Sequence, residues 1–178
     1  MRPPTRGDAA LRIERKPTPY FTRGRDGHAP LGVVLHSTAG SFAGTVQWFS
    51  EAASGVSAHY LVGLGGEVAQ FVDEKDTARH AGRVQDPTAP AFLLAANPNL
   101  VTIGIEFVDD GDPQGCERTP EQTANGAELL WAIATRWSIP LDREHVVGHR
   151  EISAETICPG NLDVEGLVAA ARDLDAEP

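Results

Sequence analysis

The sequence predicts an α/β fold: one domain with a central mixed β-sheet flanked by helices. Two observations carry this. Short apolar runs rich in β-branched residues, which read as buried strands, interleave with segments of helical period, so helices are placed against the sheet. Between two of the strands lies a glycine-rich turn of the hairpin type, which makes part of an otherwise interleaved sheet antiparallel. The 178 residues suit a single domain. A chain of this length buries roughly two-thirds of its unfolded surface, enough to stand without disulfide staples.

Residues 1 to about 30 are rich in Pro, Gly, Arg and Asp and show no periodicity. The organisation expected is an irregular N-terminal arm over 1–16 and one domain over 17–178. The run from Leu31 to His36 is a buried strand, turned by Ser37-Thr38-Ala39-Gly40-Ser41. Phe42 to about Ala53 has helical spacing, with Val46 and Phe49 on one face and Ser41 as its cap. Val56–Val62 and Glu67–Val72 then form two strands of a hairpin around Gly63-Leu64-Gly65-Gly66. Residues 76–100 are a long connection carrying Pro87, Pro90 and Pro98, and long loops in compact domains are often functional. Thr102–Val108 is a strand. Thr119 caps a helix with Pro120 at its first position, running to about Trp137. His145–His149 is a strand end, and Asp163 to about Leu174 a closing helix.

Composition narrows the partners. Apolar residues make up 41% and charged residues 22%, an ordinary globular balance. The net charge is −10 and the pI about 4.9, which argues against nucleic acid and anionic membranes as partners, since both need a cationic face. No stretch approaches the ~20 apolar residues of a membrane span, and the first residues lack the apolar core of a secretion signal. Two cysteines, Cys116 and Cys158, are too few for a disulfide framework.

A catalytic zinc site takes three side chains from Cys, His and carboxylates and leaves one position open. His36 at a strand end, with His149 and Cys158 flanking a short loop, offers such a set. Taken alone, His36 is a weak signal, since a lone histidine beside an apolar run is more often a satisfied structural residue than a ligand. The loop pair is more specific, because Gly148 and Pro159-Gly160 permit tight turns.

Five segments in order, Leu31–Gly40, Val56-Ser-Ala-His-Tyr60, Thr102-Ile-Gly-Ile-Glu106, Val147–Ile152 and Cys158-Pro-Gly160, resemble the type-2 N-acetylmuramoyl-L-alanine amidases. That family includes phage lysozyme-amidases, wall-recycling amidases and peptidoglycan recognition proteins. The resemblance runs from about residue 17 to 170. It implies a peptidoglycan-recognition-protein-like fold and a zinc amidase domain over 17–178, holding one Zn²⁺ through His36, His149 and Cys158. The reaction it implies is hydrolysis of the bond between N-acetylmuramic acid and L-alanine in peptidoglycan or muropeptides. Glu106 matches the catalytic carboxylate of the recycling branch. A tyrosine that serves the phage branch is replaced here by Ala58, at a position expected to border the substrate. Several relatives carry a catalytic lysine where this chain has Thr156, which brings a hydroxyl without the charge. His80, in Ala78-Arg79-His80-Ala81-Gly82, matches a cleft segment and is expected to contact substrate. His59 is expected on the face opposite Ala58 and Tyr60 in a supporting role, and His145 is expected to be structural.

Within that family, the lack of a secretion signal, the Lys16-Pro17-Thr18-Pro19-Tyr20-Phe21 start and the single-domain length look like a phage or prophage endolysin. Such a protein is expected to be made in the cytoplasm and to reach the wall by holin-type release, with a monomer as the default state. A cytoplasmic recycling amidase is the alternative. Two readings of other classes stand beside these: a non-catalytic peptidoglycan receptor, disfavoured by the retained Cys158, and a thiol hydrolase using Cys158 and His149.

Overall fold

A computed structural model describes residues 11–51 and 53–176. In chain order these form β1 (Ile13–Arg15), β2 (Phe21–Thr22), β3 (Gly32–Ser37), α1 (Phe42–Ser50), β4 (Tyr60–Val62), β5 (Val68–Gln70), β6 (Thr77–Ala78), α2 (Ala91–Leu94), α3 (Pro98–Val101), β7 (Thr102–Phe107), α4 (Pro120–Trp137), β8 (Val146–Gly148), α5 (His149–Ile152) and α6 (Val164–Ala176). Six strands make one mixed sheet in the order β1-β5-β4-β7-β3-β8. The β4–β5 hairpin is antiparallel, and the other pairs in this sheet are parallel. β2 and β6 form a separate antiparallel pair.

Alternation along the central strands sorts side chains between two faces. Val33 and Leu35 of β3, with Ile103, Ile105 and Phe107 of β7, pack against Leu129, Leu130 and Ile133 of α4 and Leu167 of α6. Fully burying each such aliphatic side chain stabilises the fold by about 1.5–3 kcal/mol. The opposite face holds two smaller clusters instead of one. Leu61 and Ala69 pack with Phe49 and Phe71, whereas Val34 and Val147 pack with Leu93 and Ile152. His36 and Glu106 alternate onto this second face, and the β3–β7 register makes them direct partners.

Most elements lie where the sequence places them. Thr119 caps α4 by accepting the Gln122 N–H at 3.1 Å, and Ser138 ends it in a left-handed conformation. Several segments differ, among them β2 in the aperiodic stretch before residue 30, α1, which ends at Ser50, and β6, α2 and α3 in the connection expected over 76–100. Ile13–Arg15, inside the arm expected over 1–16, is an edge strand paired with β5, and the first ten residues of that arm lie outside the described residues. Val56–His59 does not continue β4, and Ala58 and Tyr60 consequently pack in different clusters instead of sharing a face. The strand expected over 145–149 stops at Gly148. The Glu151 carboxylate accepts the Gly148 N–H at 2.6 Å, which starts a helical turn at His149. Ala52, in the expected first helix, lies outside the described residues. Among the described residues no helix is long and apolar enough to cross a membrane.

One buried carboxylate ties α4 to the sheet. Glu74 accepts hydrogen bonds from Tyr60 Oη at 2.7 Å, Trp137 Nε1 at 2.7 Å and Arg136 Nε at 3.0 Å. Burial alone would raise its pKa, but the hydrogen bonds from Arg136, Tyr60 and Trp137 outweigh that and hold it below the ordinary value. A depressed folded pKa gives stability that is present above the unfolded value and is lost as pH falls through the folded one. Glu74→Ala strands the buried Tyr60 hydroxyl and should cost about 2–4 kcal/mol in urea denaturation at pH 7. The loss should shrink on acidification, and an unchanged loss at pH 3 would contradict this account.

Candidate metal and carboxylate site

Three elements converge at the C-terminal end of β3. His36 projects from β3 and is almost fully buried, His149 opens α5, and Cys158 lies in the loop that follows. Each offers one ligand atom, and the three atoms lie within 4.8 Å of one another. The His36 and His149 ring centroids are 4.6 Å apart, and Cys158 Sγ stands 3.7 Å from His36 Nδ1. A Cβ on Gly148 would meet Pro159 Cδ at 2.8 Å, so this glycine lets the Cys158-Pro159 loop fold back onto the start of α5.

The remaining ring nitrogens are engaged. His36 Nε2 is 3.1 Å from His80 Nδ1, and His149 Nε2 is 3.1 Å from the Ala81 carbonyl. These contacts leave Nδ1 of each imidazole as the atom that could take a cation, in the arrangement usual for metal-bound histidines.

The other expected site residues divide. Glu106 stands beside His36 as its cross-strand partner and lines an open cleft of about 330 Å³ with Thr38, Gly40, Thr45, Trp48 and Val56. Thr156 Oγ1 accepts the Cys158 N–H at 3.1 Å and so shapes the cysteine loop. The two residues expected to contact substrate are both buried. Ala58 is completely buried in the cluster with Phe49 and Leu61, and the chain joins the β4 ladder only after it. His80 lies buried beneath His36 instead of in the cleft, in space that exists because position 104 has no side chain: a Cβ there would meet His80 Cγ at 2.4 Å. His59 is buried and supports the site, accepting the Gly104 N–H at 3.0 Å through Nδ1. His145 pairs with Asp142 at 2.7 Å.

Asp109 is the residue that sequence reasoning passed over. Fully buried, it accepts N–H bonds from Ala39, Gly40 and Gly111 and pins the cleft-lining 38–40 turn. Its signal was faint: an acid three residues beyond Glu106 in what reads as a polar loop.

The sequence profile of the N-acetylmuramoyl-L-alanine amidases matches residues 26–161. The chain belongs to this family. A stretch of 75 residues is 37% identical to N-acetylmuramoyl-L-alanine amidase A of Achromobacter lyticus, covering 42% of this chain. That match spans about a third (34%) of the relative's own length. Among solved structures, a selenomethionine AmpD derivative superimposes with a TM-score of 0.71 at 24% identity, over 93% of this chain and 96% of that one. The catalytic domain of XlyA gives 0.67 at 21%, over 90% and 99%. The endolysin amidase LysCS of Clostridium intestinale URNW gives 0.65 at 18%, over 96% and 100%. At these identities the three establish the fold.

Burial governs the electrostatics of this family member's site. It pushes His36 well below the ordinary imidazole pKa, with His80 and His149 adding to the shift, and it lowers His149 as well. Neutral imidazoles are the form that binds a cation. Cys158 is raised to about 12 by burial and then by Glu106. An activated nucleophilic thiol needs the opposite shift, so a thiol-hydrolase reading has no support here. Glu106 is raised to about 8, first by burial and then by Asp109, and its Oε2 is buried without a hydrogen-bond partner.

A raised carboxyl pKa makes the folded state hold a proton that the unfolded chain has released, so stability falls as pH rises toward the folded value. In chelator-treated protein the Glu106 contribution to thermal stability should therefore decline between about pH 5 and its value of about 8, set against the opposite trend of the depressed histidines His36, His59, His80 and His149. Glu106→Gln should remove that contribution, so that stability rises more steeply with pH in the variant than in the wild type. Equal slopes in the two proteins would show that Glu106 makes no such contribution.

Proposed function

We propose that the chain hydrolyses the amide bond between N-acetylmuramic acid and L-alanine in peptidoglycan, with one Zn²⁺ held by His36, His149 and Cys158. The observation that carries this reading is the placement of a His/His/Cys ligand set directly beside a partly desolvated carboxylate at the head of a cleft. The donor set fits zinc, since two neutral imidazoles and one thiolate leave a fourth position for water or substrate. When bound, Zn²⁺ would polarise the carbonyl and lower the pKa of the attacking water.

The chain's own residues supply the proton handling. Glu106 takes a proton from the water as its oxygen joins the carbonyl carbon. It then delivers that proton to the alanine nitrogen as the C–N bond breaks. The products are a muramyl carboxylate and a free L-alanine amino terminus. Raised basicity suits Glu106 to both steps, because a carboxylate at its ordinary pKa would accept the proton poorly near neutrality. Thr156 keeps an O–H that can donate to the developing oxyanion while its oxygen accepts from Cys158. The open cleft beside Glu106 is compatible with a polymeric substrate, and we assign the chain to wall lysis as an endolysin.

Digestion of purified sacculi, followed by mass spectrometry, tests this. Wild type should release muropeptides with free L-alanine amino termini and generate no new reducing sugars. Glu106→Ala should lower kcat by about 10²–10⁴-fold. Cys158→Ser should lose zinc, and a strong chelator should abolish activity that added Zn²⁺ restores. New reducing ends, or activity indifferent to chelators, would refute the reaction. Faster cleavage of soluble muropeptides than of intact sacculi would instead favour the recycling role.

A further inference from the structure

The structure assigns Asn99 and the dipeptide His80-Ala81 as one positioning unit that aims both imidazoles of the site, an inference that rests on the zinc reading above. Neither histidine is oriented by its own element alone. His36 sits on β3 and His149 on α5, and nothing in the strand or the helical turn fixes how either ring rotates about χ2, a broad torsion. What fixes them is the 80–81 segment, which belongs to neither element. The His80 ring meets His36 Nε2 at 3.1 Å, and the next residue's carbonyl meets His149 Nε2 at 3.1 Å.

Asn99, just ahead of β7, holds that segment. Its Oδ1 accepts both the His80 N–H at 3.0 Å and the Ala81 N–H at 2.8 Å. Asn99 is itself clamped, since its N–H donates to Asn97 Oδ1 at 3.1 Å and its carbonyl accepts from Arg25 Nη1 at 3.2 Å. One amide oxygen therefore sets the height of two hydrogen-bonding groups, each dedicated to a different imidazole.

The hydrogen directions are consistent along the chain of contacts. The Thr102 hydroxyl donates to the Pro98 carbonyl at 2.6 Å, which leaves its oxygen to accept from His80 Nε2 at 3.5 Å. His80 then carries its proton on Nε2 and accepts from His36 on Nδ1. His36 in turn is protonated on Nε2 and presents a bare Nδ1 toward Cys158. The Ala81 carbonyl can only accept, so His149 is held in the same tautomer. Both imidazoles thus have a lone pair on Nδ1 before any ion arrives. Partners of this kind commonly change metal affinity by about 10–100-fold when removed.

The test uses full-length protein and Zn²⁺ competition with a chromophoric chelator. His80→Leu deletes the acceptor for His36, and Asn99→Leu deletes the acceptor for the segment. Each should weaken Zn²⁺ binding by about 10–100-fold. His80→Asn places an amide oxygen near the former Nδ1, and Asn99→Asp keeps Oδ1. Both should recover most of the affinity. Co²⁺-substituted wild type should show a thiolate charge-transfer band, and the two leucine variants should show it weakened or shifted at saturating metal. Circular dichroism melts of the chelator-treated proteins identify variants that have simply unfolded. Should Leu and conservative variants bind Zn²⁺ alike, the positioning role is wrong. If His80→Leu does not fold, the Asn99 pair decides the matter alone. Wild type that binds Zn²⁺ but leaves sacculi intact overturns the proposed function and not this inference, whereas wild type that binds no Zn²⁺ overturns both.

Discussion

The parallel pairing of β3 with β7 is the constraint on which the site depends. Its register sets Val33 opposite Ile103 and Leu35 opposite Ile105 on the face covered by α4 and α6. The same register sets His36 opposite Glu106 on the other face. A slip of one residue would carry the aliphatic side chains off the helices and bury the imidazole among them. The hydrophobic energy that fixes the sheet therefore also fixes which polar groups meet. No separate device is needed to bring the carboxylate to the histidine.

Placing polar groups there has a cost that the rest of the fold offsets. The second sheet face carries two apolar clusters with a gap between them, and the gap is filled by imidazoles, a carboxylate and a thiol. All of these are shifted by burial toward their neutral forms. A site that neutralises itself is stable without strong internal ion pairs. A cation binding there would displace the Cys158 thiol proton, which makes its affinity pH-dependent. Asp109 contributes in two ways: it organises the 38–40 turn through backbone N–H groups, and its negative charge adds to the burial that keeps Glu106 basic.

Much of this was readable in the sequence because it follows from local rules. The strand ending in His36 and the capped helix from Pro120 to Trp137 were visible in β-branched runs and cap chemistry. The cluster of His36, His149 and Cys158 was visible in part, as a histidine and cysteine that flank a Gly/Pro loop, and the family resemblance joined the strand-end His36 to them. Burial was harder to read. His80 sits in a loop with an exposed neighbour on each side of its dipeptide, Arg79 and Gly82, and nothing local says that its ring turns inward. The reason lies at position 104, a strand glycine whose missing side chain leaves the room. Ala58 was misplaced for a related reason: β4 begins only at Tyr60, so period-two alternation did not apply to the residues before it.

Thr156 shows how a departure from the family pattern can be structural before it is chemical. Its oxygen accepts the backbone N–H of Cys158, two residues ahead, which closes a tight turn around the thiol. A lysine at that position could not accept the bond, because an ammonium only donates. At residue 156 this chain therefore has a backbone-accepting hydroxyl and no side-chain charge. Its acidic balance of 25 carboxylates against 15 Lys and Arg fits the same pattern. Long-range attraction would contribute little to holding the anionic wall polymer of the proposed function on such a protein. Under the proposed function recognition would rest instead on short-range contacts in the cleft, where Trp48 and Val56 are exposed beside Glu106.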